Sequence, residues 1–256
     1  MRSYSRYVAL GDSTTEGLED PDGRGGYRGW ADRFAEHLAT AFPELAYANL
    51  AVRGLAAAEI EATQLAPALA MAPDLATVVA GMNDLLRADF SAVRIASHID
   101  TMIAAFAALG ATVITFTLPD VSRRMRLGGR LAARTEALNV EIRRVAAARG
   151  AIILDLAVYP LSGDPRMWAD DRLHGNPEGH ARIAGELAHL LGLPGAPASQ
   201  LGVALPEARR PTLREVLTTD ARWILRYVAP FVVRKLRRRT AGHGLVAKRP
   251  TLTPVR

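Results

Sequence analysis

Five short apolar runs recur along the first 155 residues, each followed by a longer, mostly alanine-rich stretch, and that alternation leaves few folds open. The runs fall at 6–10, 46–50, 75–80, 112–118 and 151–155. Most are continuously apolar, which is the pattern of strands covered on both faces of a parallel sheet. Helical stretches are expected at 29–41, 56–70, 88–109 and 129–149, with one more at 177–191. Gly110 and Gly150 stand where helix C-terminal caps fall, each just before a strand. Strand, helix, strand repeated in this way implies right-handed crossovers. The expected architecture is a three-layer α/β/α sandwich around a five-stranded parallel sheet, followed by a C-terminal helical basic extension.

Composition narrows the class further. A chain of 256 residues, 49% hydrophobic and 23% charged, belongs with globular proteins and is long enough to bury a sizeable core. It has no cysteine, which removes disulfides, thiol nucleophiles and thiolate metal sites from consideration. The longest nearly uncharged stretch, 104–118, is interrupted by Gly110 and falls short of the roughly 20 residues that a membrane-spanning helix needs. Residues 1–6 are too polar to open a targeting segment, and a cytoplasmic location is the expectation.

Charge is unevenly placed. The formal net charge is +6, yet from Leu205 onward thirteen Lys/Arg face three Asp/Glu, whereas the first 204 residues carry 19 basic against 23 acidic side chains. Any electrostatic argument about anionic partners therefore concerns the tail alone. The expected division is an α/β body over 1–192, a Gly/Pro-rich linker over 193–210 and a basic amphipathic helical tail over 211–256.

In an open parallel sheet, ligands bind beyond the carboxyl ends of the strands. The loops at that edge carry Gly11-Asp12-Ser13 with Gly17, then Gly54, then Gly81-Met82-Asn83-Asp84, and finally Asp171-Arg172-Leu173-His174. Alone, each piece has an ordinary structural explanation: Ser13 as a helix cap, Gly54 and Gly81 as turn punctuation, Asp171 and His174 as a surface pair. Together on one edge they supply a hydroxyl, a base, a carboxylate to orient that base, and donors for a developing oxyanion, which are the parts of an acyl-transfer site. His37, His98, His180 and His189 fall within helical stretches and are expected to be structural.

These four ordered blocks, spread over 7–191, resemble the SGNH hydrolase superfamily, the GDSL-type esterases and lipases, whose fold is flavodoxin-like. The resemblance implies Ser13 as nucleophile, His174 as general base and then acid, and Asp171 as the residue that orients His174. It implies an oxyanion hole made of the backbone N–H of Ser13, the backbone N–H of Gly54 and the side-chain amide of Asn83. It implies a carboxylic-ester hydrolase, with no cofactor and no metal; the short loops, read by themselves, suggest a shallow, open site that takes small or short-chain acyl esters. Two features depart from the family pattern: Gly175-Asn176 separates His174 from Pro177, and Asp170 adjoins Asp171. Only Asp171 has the three-residue spacing to His174.

Competing motifs are absent. No Gly-x-Ser-x-Gly elbow, no Gly-Lys pair of a phosphate-binding loop and no His-Glu-x-x-His occurs. The glycine-rich 23–29 lacks dinucleotide spacing and is expected to shape one wall of the pocket. In the tail, Trp223, Ile224, Tyr227, Val228, Phe231 and Val232 would share a helix face, Pro230 would kink it, and the basic run 234–239 follows. The first reading is a helix docked on the body through its aromatic face, the second a peripheral contact with an anionic membrane. Nucleic acid is not expected, because no recognition motif accompanies the charge. The rival to an enzyme is a non-catalytic binding module on the same fold.

Overall fold

Period-two alternation inside the apolar runs decides which helices cover which face of the sheet. In strand β1 (Arg6–Leu10), Val8 and Leu10 enter one buried layer while Tyr7 and Ala9 enter the other. The computed structural model describes residues 2–120, 128–207, 209, 212–230 and 244–255. After β1 come a single helical turn α1 (Ser13–Glu16), helix α2 (Gly29–Ala41), β2 (Ala46–Asn49) and α3 (Ala57–Ala70). Next are β3 (Leu75–Val78), α4 (Ala92–Ala108), β4 (Thr112–Phe116), α5 (Gly128–Arg149) and β5 (Ile152–Leu154). Then follow α6 (Pro177–Leu190), α7 (Leu213–Trp223) and β6 (Arg249–Pro254).

The sheet runs β5-β4-β3-β1-β2-β6, with parallel pairing from β5 through β2. One layer packs Ile60 of α3, Ile99 and Phe106 of α4 and Leu138 of α5 against Val8, Leu10 and Val78. The other packs Trp30 and Phe34 of α2 and Leu187 of α6 against Tyr7, Tyr47 and Ile114. Every one of these side chains is at most 2% exposed. Such burial of a large apolar side chain contributes about 1.5–3 kcal/mol each. Chain order reverses at β1, which lies between β2 and β3, so the cleft beyond β1 and β3 is the natural ligand position.

The expected five-stranded, wholly parallel sheet requires one correction: a sixth strand, β6, pairs antiparallel with β2. Its two prolines, Pro250 and Pro254, are tolerated because β6 is an edge strand. Lys248, just ahead of it, sends its ammonium to Asp32 Oδ1 at 3.0 Å and to the carbonyls of Tyr27 and Arg28 at 3.0 and 2.7 Å. Arg249 lies over the Tyr47 ring, 5.1 Å from its centroid. Within 193–210, Leu193 and Leu201 are buried in the α2/α6 layer.

Helix α7 starts with a reciprocal cap: Thr212 Oγ1 accepts from Glu215 N–H, and the Glu215 carboxylate accepts from Thr212 N–H at 2.7 Å. Helical backbone continues beyond it through a π-helical stretch, Ile224–Val228, to residue 230. Trp223 and Tyr227 are half-buried, while Ile224 is exposed, so the expected shared face is divided. Phe231, Val232 and the basic run 234–239 lie outside the described residues. Among the described residues, no helix is long and apolar enough to cross a membrane.

Candidate active site

Strand β1 ends at Leu10, and the chain turns at once into α1, whose N-cap is Asp12. Asp12 Oδ1 accepts from Thr14 N–H at 3.0 Å and from the Thr14 hydroxyl at 2.9 Å. Gly11 makes this turn possible: a Cβ there would lie 2.2 Å from Thr15 Oγ1 and 2.9 Å from the Val79 carbonyl. The Gln64 amide clamps the same residue, accepting from Gly11 N–H at 2.9 Å and donating to Gly11 O at 2.8 Å. Ser13 is thereby fixed at the carboxyl edge of the central strand, only 8% exposed.

Residue 174 arrives from the far end of the chain. The Ser13 hydroxyl lies 2.7 Å from His174 Nε2, and His174 Nδ1 lies 2.5 Å from Asp171 Oδ2. With a proton on Nδ1 donated to Asp171, Nε2 is left to accept from Ser13. The other Asp171 oxygen accepts backbone N–H bonds from Leu173 at 2.9 Å and His174 at 3.0 Å. Burial opposes ionisation of Asp171, but the hydrogen bond and charge of His174, with those two backbone N–H groups, outweigh it and hold its carboxyl below the usual range. The neighbouring Asp170 is exposed.

The segment after His174 is braced on both sides. Gly175 pairs with Trp168 in an isolated antiparallel bridge. Asn176 caps α6 by accepting from Gly179 N–H at 2.9 Å, and Pro177 occupies the first helical turn. The Asn176 side-chain amide also donates to the Arg166 carbonyl at 2.7 Å.

The expected oxyanion donors are arranged unequally. Among the described residues, the backbone N–H groups of Ser13 and Gly54 have no hydrogen-bond acceptor. Gly54 has φ +85°, a conformation that favours a residue without Cβ. The Asn83 amide, by contrast, is engaged: Nδ2 donates to Asp12 Oδ2 at 2.9 Å and to the Leu55 carbonyl at 3.0 Å. Both of its N–H bonds are thus in use, and donation to a third acceptor requires exchanging one of them. Burial raises the Asp12 carboxyl above its usual range against the pull of its Thr14 hydrogen bonds.

Several residues around the site were not legible as site residues in the sequence. The Glu16 carboxylate accepts from Arg53 N–H at 2.9 Å and from Arg53 Nε at 3.0 Å, tying the Gly54 loop to α1. The Arg53 guanidinium lies over Tyr27, 5.3 Å from its centroid, so the glycine-rich loop flanks the residue next to Gly54. A Glu three residues after Ser13 and an Arg before Gly54 were available as signals. Gln64, buried in α3, offered none. Among the described residues, no group of three or more His, Asp or Glu is placed to hold a metal ion.

His180, expected to be structural, is buried between α6 and the start of α2. Its Nδ1 accepts from Trp30 N–H at 3.0 Å, and Nε2 donates to the Leu18 carbonyl at 3.1 Å. Both nitrogens are thus assigned in the neutral ring, and burial pushes its pKa down to about 4. A folded-state value below the ordinary one means the unfolded chain binds a proton that the native state refuses. Stability from this group is present above pH ~6.5 and falls by up to about 1.4 kcal/mol per unit as pH drops from there towards 4. Melting curves between pH 7 and about 4.5 are expected to show a shallower loss of Tm in His180→Gln than in the wild type. Parallel slopes would assign the acid sensitivity to other groups.

The sequence profile of the GDSL-like Lipase/Acylhydrolase family matches residues 9–182. No curated protein sequence matches the chain. Among solved structures, an α/β hydrolase enzyme from the metagenome of Lake Arreo, Spain, is similar at TM-score 0.63 and 22% identity, with 75% of this chain and 97% of that chain covered. A lipase/acylhydrolase from Enterococcus faecalis gives TM-score 0.61 at 22% identity, covering 76% of this chain and 100% of that one. An acetylxylan esterase from Geobacillus stearothermophilus gives 0.61 at 16%, covering 75% and 96%. At these identities the likeness establishes the fold.

Proposed function

The chain belongs to the GDSL-like lipase/acylhydrolase family, and from that premise we propose that it is a carboxylic-ester hydrolase working through a Ser13–His174–Asp171 triad. The observation that carries this reading is the unbroken path of hydrogen bonds from Ser13 Oγ through the His174 ring to the Asp171 carboxylate, at 2.7 and 2.5 Å. In the proposed mechanism, Ser13 Oγ attacks the acyl carbonyl as His174 Nε2 takes its proton. Asp171 keeps the proton on Nδ1 and stabilises the imidazolium. The tetrahedral oxyanion collapses, His174 returns the proton to the departing alcohol, and an acyl-Ser13 remains. Water, deprotonated by His174, then attacks that ester, and the acid leaves with Ser13 restored.

The open N–H groups of Ser13 and Gly54 suit the developing oxyanion directly. Asn83 joins them by exchanging its bond to the Leu55 carbonyl for one to the substrate, while Asp12 keeps the amide oriented. Asn83→Ala is expected to lower kcat by about 10²-fold with KM little changed, because the lost donor serves the transition state. Steady-state kinetics on a p-nitrophenyl ester would read this, and a rise in KM at constant kcat would remove Asn83 from the oxyanion hole.

The acyl group in this proposal is small. The segments carrying the donors, 50–56 and 79–83, are short bridges between strands and the following helical turns, and support a shallow site. Turnover of p-nitrophenyl acetate or butyrate by the wild type tests the activity, and a strong preference for long acyl chains would refute the shallow site. No turnover of any ester would leave the fold to a binding module.

A further inference from the structure

Helix α7 lies beyond residues 9–182, the span of the family match, yet it touches the loop of the proposed acid–base pair directly. The Trp223 indole Nε1–H donates to the backbone carbonyl of Asp171 at 2.9 Å. The next residue, Arg172, has φ +64°, a left-handed conformation that a residue with a Cβ keeps only where its surroundings hold it. Those surroundings come from α7. The Arg172 guanidinium bonds Asp220 Oδ1 at 2.7 Å and lies 4.7 Å from the Trp223 ring centroid. Both members of this ion pair are shielded, at 18% and 17% side-chain exposure.

The peptide group joining Asp171 to Arg172 is therefore gripped at both ends. Its carbonyl is held by Trp223, and its N–H donates within the loop to the Ala169 carbonyl at 2.9 Å. Rotation of that peptide would relieve the positive φ of Arg172. A net change of φ at Arg172 would redirect the chain that follows it and carry the Leu173 and His174 amides away from Asp171 Oδ1, which they now hold at 2.9 and 3.0 Å. The carboxylate facing His174 Nδ1 would lose two of the three donors that aim it.

We propose that α7 is a positioning arm for the acid–base pair: Trp223, supported by the Asp220–Arg172 ion pair, locks the Asp171–Arg172 peptide so that the carboxylate and imidazole stay aligned with Ser13. This rests on the ester-hydrolase reading of the site. Among the described residues, no hydrogen bond joins Trp223 to Ser13, to the His174 ring or to the Asp171 carboxylate, so its proposed action runs through the Asp171 carbonyl. Displacements of this kind cost catalysis more than binding, because near-attack geometry is sharply distance-dependent.

The test uses the full chain with Trp223→Phe, which keeps a ring against Arg172 but removes the N–H donor, and Trp223→Ala, which removes both. Active sites are counted by fluorophosphonate labelling of Ser13, and kcat is expressed per labelled site. Trp223→Phe is expected to lower that kcat by about tenfold with KM unchanged. The far-downfield NMR resonance of the proton between His174 and Asp171 is expected to broaden with it. If Trp223→Ala fails to fold, the Phe variant carries the test. Unchanged kcat per labelled site in Trp223→Phe, with fewer labelled sites or a lower Tm as the only effect, would make α7 a purely structural support and overturn the positioning role. Wild-type protein without Ser13-dependent turnover would instead overturn the reading of the site itself, and this inference with it.

Discussion

Ser13→Ala is expected to reduce ester turnover by about 10⁵–10⁶-fold, to a rate sustained only by binding and the remaining oxyanion donors. The size of the effect follows from what is removed. Without Oγ there is no covalent intermediate, and His174 Nε2, which lies 2.7 Å from that oxygen, has nothing to deprotonate except water. The substitution is conservative for the fold. The cap of α1 comes from the Asp12 carboxylate, and among the described residues the only side-chain hydrogen bond of Ser13 is the one to His174. A Tm within a few degrees of wild type is therefore the expected companion result, together with loss of fluorophosphonate labelling. Wild type and Ser13→Ala turning over a short-chain ester at the same background rate would remove the chain from the enzymes and favour a binding module on a hydrolase fold.

The residues of this site were legible in the sequence because each stands at a position where local rules already apply. Ser13, Gly54 and Asn83 all follow apolar runs whose burial on both faces marks them as strands, so their placement at one edge follows from parallel pairing alone. Asp171 and His174 were tied by spacing, and α6 behind them by Asn176-Pro177. The sixth strand was not legible. Arg249–Pro254 has two prolines, no run of apolar residues and a partner, β2, about 200 positions earlier, and its pairing is irregular between Tyr47 and Asn49. No periodicity within six residues can report a contact of that range. The grip of Trp223 on Asp171 was hidden for the same reason: an aromatic stripe announces that a helix docks, while the carbonyl it reaches depends on the tertiary path of the chain.

Asp171→Asn is expected to lower kcat by about 10⁴-fold while leaving the loop in place, and the hydrogen bonds of Asp171 say why. One carboxylate oxygen accepts two backbone N–H groups, from Leu173 and His174, so the amide of the variant must turn its oxygen to that side. Its NH₂ then faces His174 Nδ1, which is forced to accept. The ring proton moves to Nε2 and points at Ser13 Oγ, where a lone pair is needed. The base is present, close and in the wrong tautomer. Asp170→Asn is the matched control: that side chain is exposed, and its substitution is expected to leave kcat within about twofold, the range of surface changes away from the site. The same comparison distinguishes orientation from charge, since both variants remove one negative charge near His174 but only Asp171→Asn reverses a hydrogen bond. Asp171→Asn retaining turnover within tenfold of wild type, or Asp170→Asn matching its loss, would break the triad assignment at its third member.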